Sequence, residues 1–160
     1  MNNFVNINKN YDHSRMVEIK QELPCLVDDK AFLPQRAHAN DAGADLMACI
    51  DETIELYPGE QKLIGTGVAI KIPVGYGGFI FNRSSQGKRG ITIPHSVGVI
   101  DTDYRGEIKV LLKNISEDVY KIERGDRIAQ LVIMPVLLVD FIDTWNDTER
   151  GTGGFGSTGT

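Results

Sequence analysis

Several short stretches of the chain alternate apolar and polar residues with a period of two. Val17, Ile19, Gln21 and Leu23 alternate with Glu18, Lys20 and Glu22; Val68, Ile70 and Ile72 with Ala69 and Lys71; Ile108, Val110 and Leu112 with Lys109 and Lys113. An extended backbone points successive side chains to opposite faces, so this spacing predicts half-buried β-strands. Between them stand turn residues, Tyr57-Pro58-Gly59-Glu60, Pro73-Val74-Gly75-Tyr76-Gly77 and Arg124-Gly125-Asp126. The last of these joins Val119–Ile122 to an apolar run from Ile128 to Val139, interrupted by Pro135, where a strand edge, bulge or start is expected. One short helix fits Ser84 to Arg89. No stretch of a dozen residues has a 3.6-residue period, and no unit of 20 to 50 residues repeats, so the expected fold is all-β, a sandwich or barrel with its loops gathered at the ends.

The chain has 160 residues, of which 41% are hydrophobic. That suits one soluble domain with a core that needs no cross-links. The expected organisation is a loose amino-terminal arm over residues 1–15, a β-barrel over 16–145 and a flexible Gly-rich tail over 146–160. Seventeen Lys and Arg against 22 Asp and Glu leave a net charge of −5, with no basic run able to follow a nucleic-acid backbone. Polymeric nucleic acid is thus a poor partner, and an anionic ligand would need locally gathered cations. Cys25 and Cys49 form no CxxC pair, and His13, His38 and His95 lack metal-ligand spacing. No basic head precedes an apolar run at the amino terminus and no apolar stretch is long enough to span a bilayer, so a cytoplasmic protein is expected.

Four segments combine residues able to handle a phosphorylated ligand. The tail, Arg150 to Thr160, sets an arginine, Phe155 and the hydroxyls of Ser157 and Thr158 among glycines, which suits a wrap that orders around phosphate. Its formal GxGxxG has no following helix, so a dinucleotide fold is not indicated. Asn82-Arg83-Ser84-Ser85 puts a cation and two hydroxyls at a strand end, although such a loop is more often plain solvated surface. Gly98 to Glu107 carries Asp101, a possible base for activating water, ahead of Tyr104, whose ring could wall a sugar. Asp41 to Leu46 leads into a strand with an exposed acid that could face magnesium, and by itself reads as a turn.

Taken in order, these four segments together with Arg124–Leu131 resemble the five motifs of the homotrimeric dUTP diphosphatase (dUTPase) family: Ala42–Leu46; Arg83–Ser85 through Gly90-Ile91; Gly98–Gly106; Arg124–Leu131; and Arg150–Gly159. The resemblance runs from about residue 17 to the end and implies a distorted antiparallel jelly-roll barrel. It implies hydrolysis of dUTP to dUMP and pyrophosphate, limiting uracil incorporation into DNA and supplying dUMP for thymidylate synthesis. On these residues, Asp101 would activate the water that attacks the α-phosphorus, and Tyr104 would pack under the deoxyribose. The hairpin backbone around His95, Gly98 and Ile100 would read uracil, and Arg83, Ser84, Ser85 and Gln130 would hold the phosphates. Asp45 would face a Mg2+ ion through water. Phe155 and Gly156 would close over the base while Arg150, Ser157 and Thr158 grip the γ-phosphate. The resemblance further implies a homotrimer with each site drawn from three subunits.

Two rivals come from this comparison. A dCTP deaminase shares the expected architecture, but it relies on a glutamate in the third region and lacks the Arg-Phe tail. A nucleotide-sensing protein that switches contacts with a regulatory partner is compatible with the same residues.

Overall fold

The computed structural model describes residues 22–148 and 151–152. Among the described residues the alternating stretches form strands β1 (Cys25–Val27), β2 (Ala44–Met47), β3 (Ile54–Leu56), β4 (Gln61–Gly65), β5 (Val68–Ile70) and β6 (Tyr76–Phe81). Helix α1 (Ser84–Lys88) follows, then β7 (Ile91–Thr92), β8 (Gly98–Ile100), β9 (Lys109–Asn114), β10 (Tyr120–Ile122) and β11 (Arg127–Pro135). Every strand pairing is antiparallel. The central sheet runs β2-β11-β6-β8, a second runs β4-β9-β7, and β1-β5 and β3-β10 are two-stranded ribbons. Together they make a distorted jelly-roll barrel with one short helix.

The period of two explains the core. Val110 and Leu112 of β9, Val68 and Ile70 of β5, and Leu46, Leu56, Ile64, Ile122 and Ile128 all point into one apolar cluster. Asn114 takes the next inward position on β9 and is fully buried, yet its amide donates to the carbonyls of Leu56 and Asp118 at 2.8 and 2.7 Å. Its oxygen accepts from the Ser116 N–H and hydroxyl, so no buried polar group is left unpaired there. The three anticipated turns form, with Glu60, Tyr76 and Asp126 N–H groups donating to the carbonyls of Tyr57, Pro73 and Glu123.

Three boundaries differ from the pattern-based expectation. The first described strand starts at Cys25; Glu22 and Leu23 are outside it, and residues 17–21 lie outside the described residues. β11 stops at Pro135, opposite Tyr76 where β6 begins. The Val136 N–H then turns to the Gly75 carbonyl at 2.8 Å, and beyond it no described strand remains to pair with the apolar run. Helix α1 ends one residue earlier than expected, because Gly90 reverses the chain at φ +74°. A side chain at Gly90 would lie 2.8 Å from the Ser116 Cβ, so both conformation and space require glycine.

Candidate active site

One end of the central sheet gathers the acidic and basic residues of three motifs. Strand register places Gln130 of β11 between Asp45 of β2 and Phe81 of β6, and Arg83 follows β6 at that same end. Arg83 Nε donates to Asp45 Oδ1 at 2.7 Å and its Nη2 to Oδ2 at 3.4 Å. Arg127 Nη1 reaches the same Oδ2 at 3.3 Å. The Asp45 and Arg83 side chains are only 10% and 15% exposed, so this pairing is shielded from screening by solvent. Arg83 Nη1 also donates to the Ser85 hydroxyl at 3.2 Å and to the Arg127 carbonyl at 3.3 Å. The guanidinium therefore stands at the start of α1 beside Ser84 and Ser85, both exposed.

A cavity of about 330 Å³ opens over this cluster, lined by Asp41, Gly43, Asp45, Arg83, Arg127 and Gln130. An adjoining one of about 260 Å³ shares Arg83 and Arg127 and adds Ser85, Gln86 and Arg89. At the rim, the His38 N–H donates to Asp41 Oδ2 at 2.9 Å and, with help from the His38 ring, holds the Asp41 carboxyl below the ordinary carboxylate range. A larger cavity, about 650 Å³ beside β1 and β5, contains none of the anticipated site residues.

Asp101 and Tyr104 belong to a different place. The chain runs from β7 through Pro94, His95, Ser96 and Val97 into β8, with Ser96 in the left-handed region at φ +68° and His95 Nδ1 3.1 Å from the Val97 carbonyl. Gly98 then pairs with Ile80, and Ile100 with Gly78. Asp101 follows β8 and is exposed. Tyr104 is also exposed, but its ring is fixed: the hydroxyl donates to the Glu107 carbonyl at 2.9 Å. Gly106 permits that contact, since a side chain there would come within 2.5 Å of the tyrosine oxygen. The aromatic face is thereby presented on a rigid loop instead of a mobile side chain.

The two groups do not meet within one chain. Extending the β6–β8 register puts Asp101 beside Gly77, whereas Arg83 lies six residues further along at the other end of β6. At about 3.3 Å per strand residue the two backbones are roughly 20 Å apart along β6, too far for both side chains to meet at one reacting atom. Arg150, Phe155, Gly156, Ser157 and Thr158 lie outside the described residues.

Arg127 and Gln86 were not singled out by their chemistry in the sequence. Arg127 and Gln130 are three apart, so simple alternation would set them on opposite faces of β11. A register irregularity between Arg127 and Ala129 brings both to the Asp45 side. Gln86 occupies an inward position of α1 and is buried, its amide donating to the Arg127 carbonyl at 3.1 Å.

The dUTPase family model matches residues 29–159. The chain belongs to the dUTPase family. It is 48% identical over 152 residues to a deoxyuridine 5'-triphosphate nucleotidohydrolase of Corynebacterium diphtheriae, covering 89% of this chain and 99% of that one. A protein of the same name from Hydrogenobaculum is 46% identical over 134 residues, covering 82% and 92%. Among solved structures, the dUTPase of Staphylococcus bacteriophage 80alpha with dUpNHpp has a TM-score of 0.76 at 32% identity, covering 88% of this chain and 100% of that one. A mutant dUTPase of phage phi11 of S. aureus, described as coordinating a structural Mg(II) ion, has a TM-score of 0.69 at 28% identity and covers 81% and 99%.

Proposed function

We propose that this chain hydrolyses dUTP to dUMP and pyrophosphate in sites assembled between copies of itself, as a homotrimer. The observation that carries the shared site is the distance between Asp101 and the Arg83–Asp45 cluster on opposite ends of β6, which leaves either half without a partner in its own chain. Arg83, Ser84, Ser85 and Gln130 hold the phosphate chain, while a second copy supplies Asp101, Tyr104 and the hairpin. Asp101 takes a proton from water as its oxygen bonds to the α-phosphorus, and the bond to the β-phosphate oxygen breaks to release pyrophosphate. Tyr104 offers a flat surface to the deoxyribose, and the outer edge of β8, which among the described residues pairs only with β6, faces the pyrimidine edge. The tail of a third copy closes the site with Arg150, Phe155, Gly156, Ser157 and Thr158, excluding bulk water.

Charge supports a divalent cation here. Asp45 already engages both guanidiniums of the cluster, so a triphosphate brings negative charge that Arg83 alone does not balance. Among the described residues no three His, Cys, Asp or Glu side chains could enclose a metal ion. Asp45 beside the phosphate-binding arginines would hold a magnesium ion through water, and such an ion, which favours phosphate oxygens and keeps much of its hydration, would offset charge building on the leaving pyrophosphate. Removal of dUTP in this way would limit uracil in DNA and supply dUMP.

Profiling dUTP, dCTP, dTTP and UTP with pyrophosphate detection tests the reading. Turnover confined to dUTP, dependent on magnesium, is expected; ammonia release from dCTP, or equal use of UTP, would overturn it.

A further inference from the structure

We propose that Arg127 is a positioning residue, one that keeps Asp45 paired when Arg83 turns from that carboxylate to the triphosphate. The inference rests on the function proposed above and concerns how its phosphate subsite changes partners. Asp45 is shared by two guanidiniums, Arg83 at 2.7 Å and Arg127 at 3.3 Å. The Nε–Nη2 edge of Arg83 that meets Asp45 is the edge a phosphate takes for a bidentate grip, so such a grip on the nucleotide competes with the Asp45–Arg83 pair. Asp45 is nearly buried, and a carboxylate left alone there carries a large desolvation cost. Arg127 removes that cost because it approaches from the open side, with its side chain 54% exposed, and needs no movement to retain Oδ2.

Its place is fixed through its backbone. The Arg127 carbonyl accepts Gln86 Nε2 at 3.1 Å, and Gln86 is buried inside α1, so the bulge that aims Arg127 at Asp45 is tied to the helix following Arg83. The same carbonyl accepts Arg83 Nη1 at 3.3 Å, giving Arg83 a neutral anchor that does not depend on Asp45. Arg127 thus stabilises the cluster on both sides of the exchange: its side chain serves the acid that is vacated, and its main chain serves the arginine that moves.

The test is a double-mutant cycle in the full chain, Arg127→Gln, Asp45→Asn and both together, read by calorimetric binding of α,β-imido-dUTP and by steady-state kinetics. Arg127→Gln should weaken analogue binding and raise KM roughly tenfold, with kcat within about twofold. In the Asp45→Asn background the same change should alter binding by less than about twofold, because no carboxylate charge remains to be held. Arg127→Lys, which keeps the charge and is the milder change to folding, should restore most of the affinity. Equal losses in both backgrounds would mean that Arg127 grips phosphate directly and would overturn the proposal, as would wild-type affinity in Arg127→Gln. A wild-type chain that binds the analogue but leaves dUTP intact would refute the proposed reaction and leave the binding cycle fully readable.

Discussion

The Asp45 cluster and the Asp101 loop hold comparable chemistry in opposite states. Asp45 is nearly buried and has two arginine partners, while Asp101 is exposed and has no side-chain hydrogen bond among the described residues. The cluster is finished within the chain because three strands of one sheet converge on it. The loop sits at a sheet edge, since among the described residues β8 pairs only with β6. A self-satisfied carboxylate is suited to organising charge, and an unsatisfied one to meeting something that arrives. On the function proposed above, the loop's partner comes from outside the chain.

The segment after β11 fits the same contrast. Leu137, Phe141, Ile142 and Trp145 are between 74% and 96% exposed, a run of large apolar groups that an isolated chain leaves in water. Such a segment is expected to lie on a neighbouring copy.

The largest effect should come from the unsatisfied acid. Asp101→Asn is expected to bind α,β-imido-dUTP normally and lose roughly 10² to 10⁴ in turnover, as removal of a general base does. Near-normal turnover would mean that the exposed loop is not the reacting half. Ending the chain at Glu149 should leave the barrel's melting transition in place and reduce kcat/KM by roughly 10², because closure and positioning are lost together. Full activity in that truncated chain would remove the tail from the account. Phe141→Ser with Trp145→Ser should be neutral to a lone barrel but weaken assembly more than tenfold, at about 1.5–3 kcal/mol per large apolar side chain covered; sedimentation on dilution distinguishes the two.

The smallest effect belongs to an exposed pair that bonds to neither Asp45 nor Asp101. Lys30 Nζ donates to Asp51 at 2.7 Å, which holds the Asp51 carboxyl below its ordinary range and raises the Lys30 ammonium above its own. The pair's contribution is therefore present between the two ranges, lost as pH falls through the folded carboxyl value and lost as it rises through the folded ammonium value. Asp51→Asn should shift the melting midpoint only at the edge of detection near neutrality, and not at all in acid or high salt.

Much of the barrel was legible because period-two alternation and turn residues are local properties. β5, β9 and the turns at Tyr57–Glu60 and Glu123–Asp126 follow directly from them. The end of β11 was not, because Pro135 stops the strand only where its neighbour β6 starts, a fact about a residue nearly sixty positions away. Within the site, the type of Arg83 suggested phosphate chemistry and that of Asp45 a magnesium-facing acid or a turn, while Gln130 entered only through the family resemblance; the fold brings the three together. Arg127 was hidden by a bulge that breaks the alternation on which its facing would be judged. The distance between Asp101 and Arg83 was likewise invisible, since it depends on which ends of β6 and β8 meet.

Subunit complementation tests the shared site most directly. Asp101→Asn and Arg83→Gln chains, each inactive alone, would be co-expressed with different tags and the mixed assemblies purified through both. If the acid and the arginine come from different copies, one of the three sites in each mixed trimer pairs an intact Asp101 with an intact Arg83, and dUTP turnover should recover to about a third of the wild-type level. Mixed assemblies as inactive as either parent would contradict the account, because every site would then be built within a single chain.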